Sequence, residues 1–328
     1  MSRVVYFIII SIFTIWNVIL VKLHYDCLFQ RSRVPKGEQS LDFSSPEDFE
    51  DFDNDEGTSS GEYIVPNLVH FVKFGNESLS FIEAVCIFAA LINQKPRKVY
   101  FHTDQVLYNG GKHWEVVLGH QLAQGVLEVK YFLEPSSVFG QELSEDWRHF
   151  HASDVARLFV LMTYGGIFLD GDSYIVRSLD DFRKFEFTLG WQKEGGISNQ
   201  VIIAHRNARF LYEWLNCYKD YRKDEWFYNA GERPTEILKE RPHLVHRVPR
   251  YLAEWVDTVN LVYLDNSTEW RKHYAIHLLI NHQYLINKNL SEKATYPTTF
   301  DEDNILNYDV NIKYMALAAY PFNRFSNN

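Results

Sequence analysis

The hydrophobic pattern divides the chain into three stretches. Val4–Val21, VVYFIIISIFTIWNVILV, carries no charge and is bracketed by Arg3 and Lys22. Residues 31–62 are rich in Ser, Gly and acids and keep no sustained period. From residue 63 onward, short apolar runs alternate with longer runs of helical spacing. PNLVHFVKF (Pro66–Phe74), RKVYFHTD (Arg97–Asp104), VLEVKYFL (Val126–Leu133) and GIFLD (Gly166–Asp170) read as strands. SLSFIEAVCIFAALINQ (Ser78–Gln94) and SDVARLFVLMTY (Ser153–Tyr164) read as helices, the second with Ser153 as its N-cap and Gly165-Gly166 as its stop. Strand alternating with helix predicts an α/β fold with an open, mostly parallel sheet. Ligands of such sheets bind beyond the carboxyl ends of the strands, where Asp104 and Asp170 are expected. There is no internal repeat.

The first apolar run is expected to cross a membrane. As a helix it reaches roughly 27 Å, enough for a thin bilayer. It is long for the apolar core of a cleaved signal peptide, and no clear small-x-small cleavage site comes after it, so it reads as a retained anchor. Basic residues flank it on both sides (Arg3; Lys22, Arg31, Arg33) and leave its orientation open. Three N-glycosylation triplets, at Asn76, Asn266 and Asn289, favour a lumenal location for the chain beyond the anchor. The expected organisation is a cytoplasmic tail at 1–3, a transmembrane signal anchor at 4–21, an acidic disordered stem at 22–62 and a lumenal domain at 63–328.

Charge adds one exclusion. The 328-residue chain has a net charge of −10, which argues against nucleic acid as a partner. Eight acids fall between Asp42 and Glu56, with no Lys or Arg among them, so the remainder is near neutral. Phe43, Phe49 and Phe52 among these acids read as incidental. The three cysteines are compatible with an oxidising compartment: Cys27 beside the anchor could bridge two chains into a homodimer, and Cys86 with Cys217 is one conceivable pair.

The chemistry concentrates in GGIFLDGDSYIV (Gly165–Val176). Asp170 and Asp172 stand one residue apart where an apolar strand ends. Two such carboxylates repel each other and are costly to desolvate, and a divalent cation offsets both effects. Hard oxygen donors suit Mg²⁺ or Mn²⁺, which also bind diphosphate oxygens. Asp154 and Arg157, at i and i+3, share a helix face, and Arg157 lies inside the apolar run VARLFVLM. Such a pair is either a surface ion pair or a binder of sugar hydroxyls and phosphates.

SDVARLFVLMTYGGIFLDGDSYIVRSLDDF (Ser153–Phe182) resembles the hallmark segment of glycosyltransferases with a DXD sugar-binding region. That group includes the initiating α-1,6-mannosyltransferases, the α-1,4-galactosyl- and α-1,4-N-acetylglucosaminyltransferases and the clostridial glucosylating toxins. The shared form is Ser-Asp, then Arg, then Tyr-Gly-Gly, an apolar strand and Asp-x-Asp. More weakly, IVPNLVHFVKFGNESLSFIEAV, GGISNQVIIAHRNARFL (Gly195–Leu211) and HYAIHLL (His273–Leu279) resemble flanking segments, so that roughly Pro66–His282 is covered. The resemblance implies a GT-A type nucleotide-sugar-binding domain, a Golgi membrane enzyme of single-pass type II layout, and Mn²⁺ (or Mg²⁺) with a nucleotide sugar as co-substrate. It implies that Asp170 and Asp172 hold the metal and contact the donor, and that Asp154 and Arg157 hold the donor sugar. It also implies hexose transfer, with retention of anomeric configuration, to a glycan or glycolipid hydroxyl. Phe168 stands where many relatives have Tyr. Lys73 stands where some have a base-stacking Trp, which passes that role to Phe71 or Phe74. Gly171 replaces a more common Thr or Leu.

Other residues keep two readings. His277 touches the diphosphate or is structural, and Asn199 lines the sugar pocket or does not. His70 reads as a packed strand histidine. Trp191, Trp214, Trp226 and Trp255 are either an acceptor platform or core. Three functions compete: a transferase using UDP-Gal or UDP-GlcNAc in preference to GDP-Man, a non-catalytic carbohydrate-binding or transferase-partner subunit of the same fold, and an aspartate-phosphorylating phosphohydrolase. Tyr174 disfavours the last, because such enzymes want Thr or Val two residues after the second Asp.

Overall fold

The computed structural model describes residues 43–192, 195–253, 258–280 and 299–322. The anchor at 4–21, Cys27, Asn289 and Trp255 lie outside the described residues. Among those described, no helix is long and apolar enough to cross a membrane.

The order of elements bears out the alternation. β1 (Leu68–Val72) leads to α1 (Phe81–Ala89), β2 (Lys98–Thr103), α2 (Gly111–Gly119) and β3 (Leu127–Tyr131). A short hairpin, β4 (Ser137–Val138) and β5 (Gln141–Glu142), precedes α3 (Arg148–Tyr164), β6 (Gly166–Leu169) and β7 (Ser173–Ile175). Then come β8 (Phe187–Trp191), β9 (Ile197–Ala204), α4 (Arg209–Cys217), α5 (Arg233–Glu240), β10 (His246–Val248), α6 (Thr258–Tyr263), β11 (Ala275–His277) and α7 (Asn311–Ala319).

Seven strands form one mixed, mostly parallel sheet in the order β10-β8-β9-β6-β1-β2-β3. Only β9 runs antiparallel to its neighbours, β6 and β8. The strand period of two sends alternate residues to opposite faces. Ile167 and Leu169 of β6 join a core under α1, α2 and α7, whereas Phe168 joins a second core under α3, α4 and α5. β3 closes one edge with Glu128 salt-bridged to Lys98 and Lys130, charges that discourage further strand pairing.

Two expectations are corrected. α3 starts at Arg148, not at Ser153, which sits inside the helix. His151 and Ala152 are buried, so tertiary packing extends the helix past the cap-like Ser-Asp pair. The stem does not reach residue 62. Phe49 is fully buried, stacks on Phe43 with ring centroids 4.1 Å apart, and packs edge-on to Phe52, with the His205 ring 5.1 Å away. Asn54 donates to the buried Glu186 carboxylate at 3.0 Å and accepts from the Glu186 N–H at 3.0 Å. Arg209 closes on the same carboxylate at 2.7 Å and donates to the Phe52 carbonyl at 3.3 Å. The segment is therefore a strap. Its acids face outward and produce a linker-like composition, while three phenylalanines and one asparagine fasten it to the domain.

Candidate active site

The site forms where β6 ends. The chain leaves β6 at Asp170, whose N–H donates to the Gln200 carbonyl of β9 at 2.9 Å. The Ser173 N–H donates back to the Asp170 carbonyl at 2.9 Å, closing a tight turn over Gly171 and Asp172. β7 then pairs antiparallel with β11, with Ser173 opposite His277. Register thus delivers a histidine more than a hundred residues downstream to the second aspartate.

α3 returns antiparallel to β6 after a stop at Gly165 (φ +60) and Gly166 (φ +115), which brings its N-terminal half over the strand's carboxyl end. A Cβ at Gly166 would lie 2.6 Å from the Leu68 carbonyl oxygen and 2.9 Å from His70 Nε2, so the Gly-Gly stop is sterically required.

Arg157 sits at the centre, 4% exposed. Its Nη2 lies 2.8 Å from Asp154 Oδ1 and 3.2 Å from Asp170 Oδ1. Its Nη1 donates to the Asn199 carbonyl at 2.6 Å, and its guanidinium carbon lies 4.9 Å from the Phe168 ring centroid. The Asn199 amide donates to Asp154 Oδ1 at 3.2 Å and to the Ala230 carbonyl at 3.3 Å. The guanidinium fork is thereby spent on protein groups, and it positions two carboxylates from two different elements. Asp172 accepts from His277 Nε2 at 3.0 Å and from the Ile280 N–H at 3.1 Å.

The electrostatics separate the three carboxylates. Burial pushes Asp154 up to about 7, against the pull of Arg157 and with a further push from Asp170. Burial also raises Asp170, though Arg157 and His277 oppose it. Asp172 is lowered: its burial is outweighed by the charge and hydrogen bond of His277 and by backbone donors. His277 is raised, its own burial outweighed by Asp172 and Asp170. Three carboxylates thus gather around one guanidinium and one imidazole, a set of oxygen donors that a cation would hold together.

The donor set fits a divalent cation shared with a diphosphate. Among the described residues, no group of three or more His, Cys, Asp or Glu side chains forms a self-sufficient metal cage. Mg²⁺-like ions commonly take one or two carboxylates and complete their shell with substrate phosphate and water. Among the described residues, two buried atoms beside the turn, Gln200 Oε1 and His277 Nδ1, have no hydrogen-bond partner, a pattern expected where a ligand completes the site.

The structure brings together Asp154, Arg157, Asp170, Asp172, Asn199 and His277. It does not bring Phe71 to the site as a stacking surface. Phe71 is 2% exposed in the core beneath α1, because its strand position points to that face. Phe74, past the end of β1, is only partly buried. Asp104 is occupied in holding the loop after β1, accepting from the Gly75 N–H at 3.0 Å. Trp191 and Trp214 are core, while Trp226 is 42% exposed. Cys86 and Cys217 are both buried and free, one in each core. The buried Tyr174 ties its hydroxyl to the Met315 carbonyl.

Two neighbours, Glu83 and Gln200, escaped the sequence. The Lys73–Glu83 pair, 2.8 Å apart, packs against the turn, and a Cβ on Gly171 would lie 3.1 Å from Glu83 Oε1. Gln200 follows Asn199 in β9 and carried no separate sequence signal.

Residues 83–188 match the family model described as "Glycosyltransferase sugar-binding region containing DXD motif". The match contains Asp154, Arg157, Asp170 and Asp172; the DXD glycosyltransferase signature ends before Asn199 and His277. Glucan organizing enzyme 1 of Cryptococcus neoformans var. grubii is 29% identical over 199 residues, which is 55% of this chain and 51% of that protein. The chain thus spans about half the length of the curated relative it matches. Among solved structures, the galactosyltransferase LgtC in complex with donor and acceptor sugar analogs aligns at 12% identity and TM-score 0.42, over 77% of this chain and 96% of that one. GlyE of Streptococcus pneumoniae TIGR4 aligns at 10% identity and TM-score 0.40, over 66% and 55%.

Proposed function

We propose that the protein is a GT-A type, metal-dependent glycosyltransferase that moves a hexose from a nucleotide sugar to a glycan or glycolipid hydroxyl. The reading rests on one arrangement: the buried Asp154–Arg157–Asp170 bridge opening onto the Asp172–His277 pair at the carboxyl end of β6. Asp170 and Asp172 would hold Mn²⁺ or Mg²⁺, which supplies Lewis-acid stabilisation of charge on the leaving diphosphate.

The chain's own residues do the rest. Arg157 fixes Asp154 and Asp170 in one orientation, so no reorganisation is needed as charge develops. Asn199 ties β9 to Asp154 and to the Ala230 carbonyl, and would line the sugar pocket from there. The acceptor hydroxyl attacks the anomeric carbon as its bond to the diphosphate oxygen breaks, and the hydroxyl proton passes to that departing oxygen. Among the described residues, each of the three carboxylates of the site is ion-paired, Asp154 and Asp170 with Arg157 and Asp172 with His277, which favours front-face attack with retention. A UDP-hexose is favoured over GDP-mannose. The name of the curated relative is consistent with a polysaccharide acceptor. The N-terminal run supports a type II anchor, with the domain in the Golgi lumen.

The test is nucleotide release by the full chain from UDP-Gal, UDP-GlcNAc and GDP-Man with Mn²⁺, with EDTA, and with Asp172→Ala. Release from one donor that EDTA and the substitution both abolish is the expected result. Absence of both release and metal-dependent donor binding would overturn the transferase reading. Binding without release from any donor, when candidate acceptors are supplied, would favour a non-catalytic carbohydrate-binding subunit.

A further inference from the structure

Beside the donor pocket lies a surface with no role in the reaction as described. Trp147, Phe150 and Trp226 are 38%, 48% and 42% exposed, unusual values for rings that normally dominate cores. They are also grouped: Trp147 has its ring centroid 6.3 Å from Phe150 and 6.4 Å from Trp226. Clustered exposed aromatics mark interaction sites more often than scattered ones do.

Two links hold the cluster against the donor site. Trp147 and Phe150 flank the first turn of α3, the helix that carries Asp154 and Arg157. Trp226 lies on the loop that also supplies Ala230, whose carbonyl accepts from Asn199. His151, one turn before Asp154, joins helix and loop, with Nε2 3.2 Å from the Trp226 carbonyl and Nδ1 2.6 Å from the Tyr221 hydroxyl. The Trp226 carbonyl has no proton to give, so Nε2 carries the hydrogen and the tyrosine donates to Nδ1.

We infer that Trp147, Phe150 and Trp226 form the acceptor platform, on which sugar rings of a neutral glycan stack to bring their hydroxyl to the donor. This rests on the transferase reading of the neighbouring site. Sugar rings present flat C–H faces that pack on aromatic rings, with hydroxyls left for a polar rim. The rim is present: Glu145, Asp146, Arg148, His149, Asp224 and Glu225 are all exposed. With the equally exposed Arg222 and Lys223 counted, four acids stand beside three basic residues, a nearly neutral rim that suits a neutral glycan better than an anionic bilayer surface.

The experiment uses the full chain and three neutral probes, laminarihexaose, mannohexaose and diacetylchitobiose. Saturation-transfer NMR reads their binding, and calorimetry reads UDP and GDP binding with Mn²⁺. Wild type is expected to bind at least one probe, and Trp226→Ala and Trp147→Ala to weaken it about tenfold each. Phe150→Leu, which keeps apolar bulk without the ring, should weaken it as well. UDP binding should be unchanged in all three. No probe bound by a wild type that binds UDP or GDP overturns the platform alone, as does equal binding in the substituted chains. A wild type that binds neither UDP nor GDP with Mn²⁺ sinks the transferase reading instead. Loss of vesicle binding or of dimers in the variants, with glycan binding intact, would also overturn the platform.

Discussion

Arg157 Nη2 lies 3.2 Å from Asp170 Oδ1, so the helix before β6 and the turn after it are fastened by one ion pair. The same nitrogen reaches Asp154, and the pair is nearly sealed from water. Breaking a buried pair by removing one partner leaves an uncompensated charge and costs about 3–5 kcal/mol. Arg157→Ala should lose that much stability. The loss should grow with pH, because Asp154, already raised to about 7 against the pull of Arg157, is raised further without it and is neutral in acid but charged and unpaired in base. Arg157→Lys keeps the charge and loses the planar fork. It should fold while losing at least about a hundredfold in sugar transfer. Thermal unfolding at two pH values, alongside a transfer assay, separates the two effects.

The strap at 43–62 should be required for stability. Phe49→Ala should cost about 3–5 kcal/mol, as for other fully buried phenylalanines. Asn54→Ala strands part of the buried Glu186 carboxylate and should cost about 1–3 kcal/mol. A fragment beginning at Gly61 would lack both anchors and should unfold earlier than one beginning at residue 41. Equal melting temperatures for the two fragments would show that the strap is dispensable.

The same strap should loosen in acid. Burial pushes His205 down to about 4, with Arg206 adding to the effect, and its ring packs against Phe43 and Phe49. A depressed folded value means that the unfolded chain binds the extra proton first. Stability from the neutral ring is complete above about 6.5 and is lost as pH falls towards 4. His70, also pushed to about 4 by burial, acts in the same direction. Hydrogen-exchange protection factors of residues 43–54, referred to the intrinsic rate at each pH, should therefore fall between pH 6.5 and 4, and His205→Phe should blunt the change.

Gly166→Ala should destabilise the chain by at least about 1–3 kcal/mol. Its φ of +115 is strained for alanine, and the added Cβ would meet the Leu68 carbonyl at 2.6 Å. Because Gly166 sets the approach of α3 to β6, donor binding should weaken with it, which calorimetry would show.

The sequence by itself determined the α/β alternation, the Gly-Gly stop, and the four chemical residues that lie within one continuous segment, Asp154, Arg157, Asp170 and Asp172. These were legible because helical spacing, strand period and glycine geometry are local properties of the chain. The tertiary structure decided what depends on distant contacts. β11 pairing with β7 sets His277 on Asp172, and β9 inserted antiparallel sets Asn199 beside Arg157 and Gln200 beside Asp170. Strand facing sent Phe71 into the core although its neighbours approach the site. Acid-rich composition hid a packed strap, since composition averages over faces and cannot show that Phe49 and Asn54 point inward while the carboxylates point out. Burial, register and the side a residue faces are properties of the assembled sheet, and no stretch of chain carries them alone.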